Sequence, residues 1–246
     1  MNEFVKKSGL SEADDWAWRR KLAVLCRILG LQGHIDLFGH VSLRVPNSDI
    51  VYITPGAGSE KTAVRADEIF VYDLEGKIHH HPGGDRPINI PLEWRIHTQI
   101  HLDRVEVGCV AHLHAHASTL LGIADKPIVP VSARGALFEH VPVWDNPRLV
   151  MDEPMAKSLS NALGGCIACQ MRGHGSVVVG ETAETGLVAC TYMEQNAQYQ
   201  VDAAALGGAR PFTPEEIADC KKGALGVASK LWDFWERRVV TAGLPL

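Results

Sequence analysis

The chain has 246 residues, 46 % of them hydrophobic and 22 % charged, with a formal net charge of -5. This is ordinary globular composition with enough length for a substantial core, and the acidic balance leaves no basic footprint for nucleic acid. No stretch approaches the roughly 18 uninterrupted apolar residues of a membrane span, and Met1 to Asp15 alternates charge with polarity without an apolar secretory segment, so a cytoplasmic protein with no membrane partner is expected.

In chain order, Ser11 followed by Glu12, Asp14 and Asp15 predicts a capped helix start, and Trp18, Leu22, Leu25, Cys26 and Leu29 continue at helical spacing until Gly30 and Gly33. Short β-rich runs follow at His40 to Val45, Asp49 to Thr54, and Ile69 to Asp73 paired with Lys77 to His80 across Glu75-Gly76. Pro91 suits the first turn of a helix through Glu93, Trp94, His97, Ile100 and His101. Strands are then expected at Cys109 to His114, Ala136 to Val141, Ile167 to Met171 and Ser176 to Val179. Thr182 to Ala205 reads as a long helix, and the capping box Thr213-Pro214-Glu215-Glu216 opens a last helix to about Arg238. Helices at both ends and hairpin-length connections between the central strands predict an α/β protein. The expected architecture is a single three-layer α/β/α domain over residues 1–246, with a mostly antiparallel sheet and a core over about 15–210.

The six cysteines, Cys26, Cys109, Cys166, Cys169, Cys190 and Cys220, lie in core-like segments and read as reduced, buried thiols. Cys166 and Cys169 form a lone C-x-x-C with no second pair, so packing is its expected role.

His112-Leu113-His114-Ala115-His116 carries the chemistry. A strand period of two and a rise of about 3.3 Å per residue put His112 and His114 on one side, roughly 6.6 Å apart, within reach of one divalent ion at about 2.1 Å from each nitrogen. His116 falls where a helix should begin and is the weaker ligand. A catalytic metal site typically uses three protein ligands. His174, in Arg172-Gly173-His174-Gly175 between two expected strands, is either the third ligand or an ordinary turn histidine. Glu93, at a helix start that favours a carboxylate, is either a catalyst or a first-turn charge. Imidazole ligands suit zinc, manganese, iron, cobalt and nickel alike. His79-His80-His81, beside Pro82-Gly83-Gly84, reads as an exposed loop.

Taken together, Glu93, His112, His114 and His174 resemble the pattern of the class II aldolase/adducin family: a glutamate at a helix start, an H-x-H about 19 residues later and an H-G about 60 beyond that. Gly39-His40-Val41-Ser42-Leu43-Arg44 and Ile53-Thr54-Pro55-Gly56 extend the likeness. The resemblance implies a sheet flanked by helices, a homotetramer with active sites between subunits, and one divalent ion per subunit on His112, His114 and His174, for which Zn2+ and Mn2+ are the two candidates. It also implies Glu93 as proton donor or acceptor.

Sugar-phosphate aldolases of the family hold phosphate with serines before the glutamate and an asparagine after the early glycine. Here Ile90-Pro91-Leu92 and His40 stand at those places, and neither replaces the lost donors. Tyr52, Tyr72, Tyr192 and Tyr199 also lie away from the segments that supply the aldolase tyrosine. The chain looks closer to the branch of metal-dependent decarboxylases of hydroxylated aromatic acids, such as phthalates and pyridine dicarboxylates. That likeness implies a small aromatic carboxylate substrate and decarboxylation through a metal-stabilised enolate, with Glu93 or His40 as the acid. Arg44 or Arg134 would bind a second carboxylate, and Ser42, Thr54, Gly56 and Ser59 would contribute further contacts. An aldolase acting on an unphosphorylated hydroxy-carbonyl compound is the alternative.

Overall fold

The computed structural model describes residues 9–82 and 88–242. Met1 to Ser8 of the N-terminal stretch, and Gly83 and Gly84 after the histidine triplet, lie outside the described residues.

Helix α1, Glu12–Leu31, starts where the capping signal places it: Ser11 Oγ accepts from the Asp14 amide at 3.1 Å, and the Asp14 carboxylate accepts from the Ser11 amide at 3.2 Å. This reciprocal pair satisfies two of the donors a helix start leaves unpaired. Eight strands follow: β1 His40–Arg44, β2 Ile50–Ile53, β3 Phe70–Asp73, β4 Ile78–His80, β5 Cys109–Leu113, β6 Val143–Trp144, β7 Ala168–Met171 and β8 Gly175–Gly180. They form one sheet of order β4-β3-β2-β1-β5-β8-β7-β6, antiparallel throughout except for the parallel β6–β7 pair. The remaining helices are α2 Trp94–Asp103, α3 His116–Ile123, α4 Glu153–Leu163, α5 Ala183–Ala204, α6 Pro214–Lys221 and α7 Ala228–Thr241. Among the described residues, none is long and apolar enough to cross a membrane.

Strand alternation divides the interior into two layers. Val41, Leu43, Cys109, Ala111 and Leu113 pack with Leu22, Leu25 and Leu29 of α1 and Leu187 of α5, while Val110 and Val177 pack on the other face with Ile96 and Ile100 of α2 and Leu159 of α4. Because side chains alternate along a strand, His40, Ser42 and His112 share the α2 face. The register seats His40 of β1 opposite His112 of β5, which in turn lies opposite Val177 of β8.

Two expected elements differ. Ala136 to Val141 is not a strand: Gly135–Leu137 forms a short 3-10 turn, and the edge strand is Val143–Trp144. A Cβ at Gly135 would overlap the Asn196 side chain, so the segment passes tightly over α5 and buries Ala136, Leu137 and Phe138 without a strand partner. The last helix is also two helices, α6 and α7, separated at Gly223, whose φ of +77° suits glycine and interrupts helical geometry. The six cysteines are free, and burial pushes the Cys109 and Cys169 thiols up to about 12, which makes them packing groups at neutral pH.

The β8 start depends on Gly175. A Cβ there would strike the Leu113 carbonyl oxygen and lie 3.0 Å from His114 Cδ2. Gly175→Ala should therefore destabilise the fold by about 1–3 kcal/mol through overpacking. Chemical denaturation would check this, and an unchanged midpoint would show that β5 and β8 can separate at no cost.

Candidate metal centre

Three strand-linked histidines and one carboxylate converge at the C-terminal end of β5. His112 is the last inward-facing residue of β5, and His114 follows one residue past its end. His174 projects from the β7–β8 turn, where Gly173 takes φ +65° and the His174 amide bonds the Met171 carbonyl at 3.0 Å. The ligand atoms of His112, His114 and His174 all lie within 4.8 Å of one another, and His112 Nε2 stands 3.0 Å from His114 Nε2. Glu93, at the cap position of α2, directs Oε2 to 3.4 Å from His112 Nε2 and 3.5 Å from His174 Nε2, while its Oε1 accepts from the Val150 amide at 2.7 Å.

This donor set fits a divalent cation. His112 Nδ1 faces the Ser176 carbonyl at 3.2 Å, which can only accept, so in the neutral ring Nε2 carries a lone pair and turns it toward the cluster. Both ring nitrogens of His174 are buried without a hydrogen-bond partner, a cost that coordination would remove. Burial, reinforced by His112 and His174, pushes the His114 imidazole down to about 4 and keeps it neutral, as a ligand must be. Burial pushes the Glu93 carboxyl up, but the His112 and His174 imidazoles, 3.4 and 3.5 Å away, and the Val150 amide outweigh it and hold Glu93 well below the usual carboxylate range. Glu93 is therefore an anion at neutral pH.

Beside the cluster is a cavity of about 350 Å³, walled by Phe38, Ala57, Pro91, Leu92 and Leu149 and reached by His40, Glu93, His114 and His174. That volume suits a small molecule. Gly56 also lines it. The other expected contacts are placed elsewhere in the subunit. Ser42 is fully buried behind His40, and Thr54 Oγ1 accepts from the Val41 amide at 3.1 Å. Arg44 spends its guanidinium on the Ser48 and His101 carbonyls, both at 2.8 Å, and Ser59 donates to the Gly56 carbonyl at 3.1 Å. Arg134 is exposed, donating to Gln195 and stacking 5.3 Å from the Tyr192 ring centre. His116 opens α3 and is exposed, outside the cluster, and His79 bonds Asp73 at 2.6 Å within β4 rather than in a loop.

Three residues escaped the sequence reading. His97 and His101 are fully buried on α2, behind His40. Their spacing of four from Glu93 puts all three on one helix stripe, a signal that was present in the sequence. Lys61 is 1 % exposed, and its ammonium donates to the Pro55 and Gly56 carbonyls with no carboxylate within ion-pair distance among the described residues. No local pattern marks a buried lysine.

Residues 20–201 match the family described as Class II Aldolase and Adducin N-terminal domain, and the chain belongs to that family. Among curated relatives, it is 25 % identical over 205 residues to the 3,4-dihydroxyphthalate decarboxylase of Arthrobacter keyseri, covering 80 % of this chain and 83 % of that protein. It is 29 % identical over 256 residues to decarboxylase tropJ of Talaromyces stipitatus, covering 89 % and 92 %. Among solved structures, an aldolase II superfamily protein from Pseudomonas syringae superposes with TM-score 0.82 at 22 % identity, covering 97 % of this chain and 98 % of that one.

Several buried imidazoles must stay neutral in the fold: burial holds His34 down to about 4 and His101 to about 3, alongside His114 at about 4. An unfolded histidine titrates near 6.5, so between that pH and the folded values the unfolded chain binds more protons. Their contribution to stability is intact above about pH 6.5 and is lost progressively as pH falls toward 4 and then 3. Urea midpoints of the metal-free protein should drop from pH 7.5 to pH 4.5, and a flat profile would contradict neutral burial.

Proposed function

We propose that this protein is a divalent-metal-dependent lyase that decarboxylates a hydroxylated aromatic mono- or dicarboxylate, a dihydroxyphthalate or hydroxypyridine dicarboxylate being representative. The observation that carries this reading is the apolar cavity walled by Phe38, Pro91, Leu92 and Leu149 directly against the His112–His114–His174–Glu93 cluster. A flat ring suits such walls, whereas Pro91 and Leu92 offer no side-chain donors for a sugar phosphate. The similarity to proteins named as decarboxylases supports the same choice.

His112, His114 and His174 would hold one Zn2+ or Mn2+ per subunit, and the bound ion would supply Lewis-acid stabilisation of negative charge on a substrate oxygen. The Ser176 carbonyl orients the His112 ring, and the β7–β8 turn carries His174 into place. Lys61 adds a buried positive charge behind the Pro55-Gly56 turn, favouring an anionic substrate at the cavity wall. Because Glu93 is ionised, it first accepts a proton, and a ring hydroxyl of the substrate is the source this chemistry provides. As the bond to the carboxyl carbon breaks, its electron pair stays on the ring and carbon dioxide leaves. Glu93 then returns the proton to that ring carbon, and solvent restores the hydroxyl. Exposed Leu37, Phe38, Leu92 and Leu149 near the cavity are apolar surface for the homotetramer that we infer.

Carbon dioxide release from a panel of ortho-hydroxy aromatic mono- and dicarboxylates, with protein reconstituted separately with zinc and manganese, tests the proposal. Metal-dependent release from one of them is expected. Silence across the panel, with aldehyde formed from unphosphorylated hydroxy-carbonyl controls, would assign the aldolase reaction instead. Glu93→Gln should retain metal and turn over at least about 100-fold more slowly, since a positioned acid or base typically contributes that much. Wild-type rates in this variant would remove Glu93 from the proton path.

A further inference from the structure

Behind the cavity wall, four side chains form a continuous buried line that the chemistry above does not use. His40 Nδ1 is 2.6 Å from His97 Nε2, His97 Nδ1 is 2.7 Å from Ser42 Oγ, Ser42 Oγ is 3.0 Å from His101 Nε2, and His101 Nδ1 is 3.1 Å from the Val107 carbonyl oxygen. His97, His101 and Ser42 are fully buried, and His40 is 5 % exposed. We propose that His101, Ser42 and His97 are positioning residues that lock His40 into a single tautomer, protonated on Nδ1, with the bare Nε2 lone pair presented to the cavity as a hydrogen-bond acceptor.

The direction of the line follows from its far end. A carbonyl oxygen has no hydrogen to give, so His101 Nδ1 carries one and donates it to Val107. Burial, together with the nearby Arg44 guanidinium, keeps the His101 ring neutral despite the favourable Val107 contact, so its Nε2 is an acceptor. The Ser42 hydroxyl must donate its only hydrogen there. Its oxygen then accepts from His97 Nδ1, 2.7 Å away. His97 is likewise held neutral by burial and its imidazole neighbours, which leaves Nε2 bare to accept from His40 Nδ1. Every link has one permitted sense, because reversing any of them would oppose two lone pairs or two hydrogens.

His40 Nε2 is the free end. It makes no hydrogen bond among the described residues, His40 lines the cavity, and its ring centre lies 5.0 Å from that of His112. A neutral imidazole with bare Nε2 cannot donate from that atom, so His40 offers an acceptor where the sequence suggested an acid. The group it suits is an O–H, and under the reading proposed above this is a ring hydroxyl other than the one engaged by Glu93. The inference deepens that reading, while the tautomer itself stands independently of the reaction.

Nitrogen NMR of 15N-histidine-labelled, zinc-loaded protein distinguishes protonated from bare ring nitrogens, with His40→Gln used only to assign the signal. The expected wild-type result is His40 protonated on Nδ1 and bare on Nε2. Ser42→Ala should mix the two tautomers and lower turnover at least about tenfold, as loss of an orienting outer-shell partner does; Ser42→Thr, which keeps the hydroxyl, should restore both. A wild-type His40 protonated on Nε2 would overturn the proposal even if no variant folds, and an unchanged His40 spectrum in folded Ser42→Ala would remove the relay as its cause. If the expected spectra appear but no aromatic acid is decarboxylated, the substrate assignment falls and the locked tautomer remains.

Discussion

The antiparallel register of β5 between β1 and β8 is the constraint on which the rest of the site depends. With His40 opposite His112 and His112 opposite Val177, backbone hydrogen bonds on both sides of β5 hold two imidazoles at fixed positions on the α2 face. Side chains alternate faces, so a shift of one residue would exchange His112 for an apolar neighbour and send the histidines into the opposite layer. Glycine protects that register. Gly175 lets β8 approach the Leu113 carbonyl, and Gly39, with φ +82°, lets the chain enter β1 close to the His112 carbonyl.

Around this frame the protein collects groups that are costly to bury together. His40, His97, His101 and His112 are all within the interior, and the one carboxylate among them, Glu93, is held ionised by its imidazole and amide neighbours. Neutrality resolves most of the conflict, because a neutral imidazole needs one acceptor and one donor and can be satisfied by its neighbours. Both nitrogens of His174 are left unpartnered, and its ring lies 5.0 Å from that of His112 and 5.4 Å from that of His114, centre to centre. A divalent cation bound there would supply the missing partner. The same packing that strips water from the imidazoles also gives the cavity its apolar walls.

Family membership and site geometry converge without being redundant. The family match covers residues 20–201, yet the relatives it groups are named as decarboxylases, an aldolase class 2 protein and adducins, so the fold alone does not set the chemistry. In this chain Pro91, Leu92 and His40 line the cavity wall, and a hydrogen-bonded line runs from His40 to the Val107 carbonyl.

Much of this was legible in the sequence wherever the signal is local. A short apolar run marked β5, the Ser11 cap and the Thr213 capping box marked their helices, and the H-x-H spacing put His112 and His114 on one side because a strand repeats every two residues. The apolar run Ala136 to Val141 misled because burial without periodicity does not separate a strand from a tight turn, and Gly223 broke a helix that composition alone would have continued. Arg44, Ser42 and Arg134 were read as substrate contacts from their chemistry, but their surroundings give them other partners within the subunit. The sequence by itself determined which donors exist and which strand and turn carry them, since those depend on backbone period and turn chemistry. Only the tertiary structure decided that Glu93 is ionised, that His97 and His101 stand in line behind His40, and that Lys61 is buried beneath the Pro55-Gly56 turn, because protonation and hydrogen-bond direction depend on neighbours brought together from distant parts of the chain.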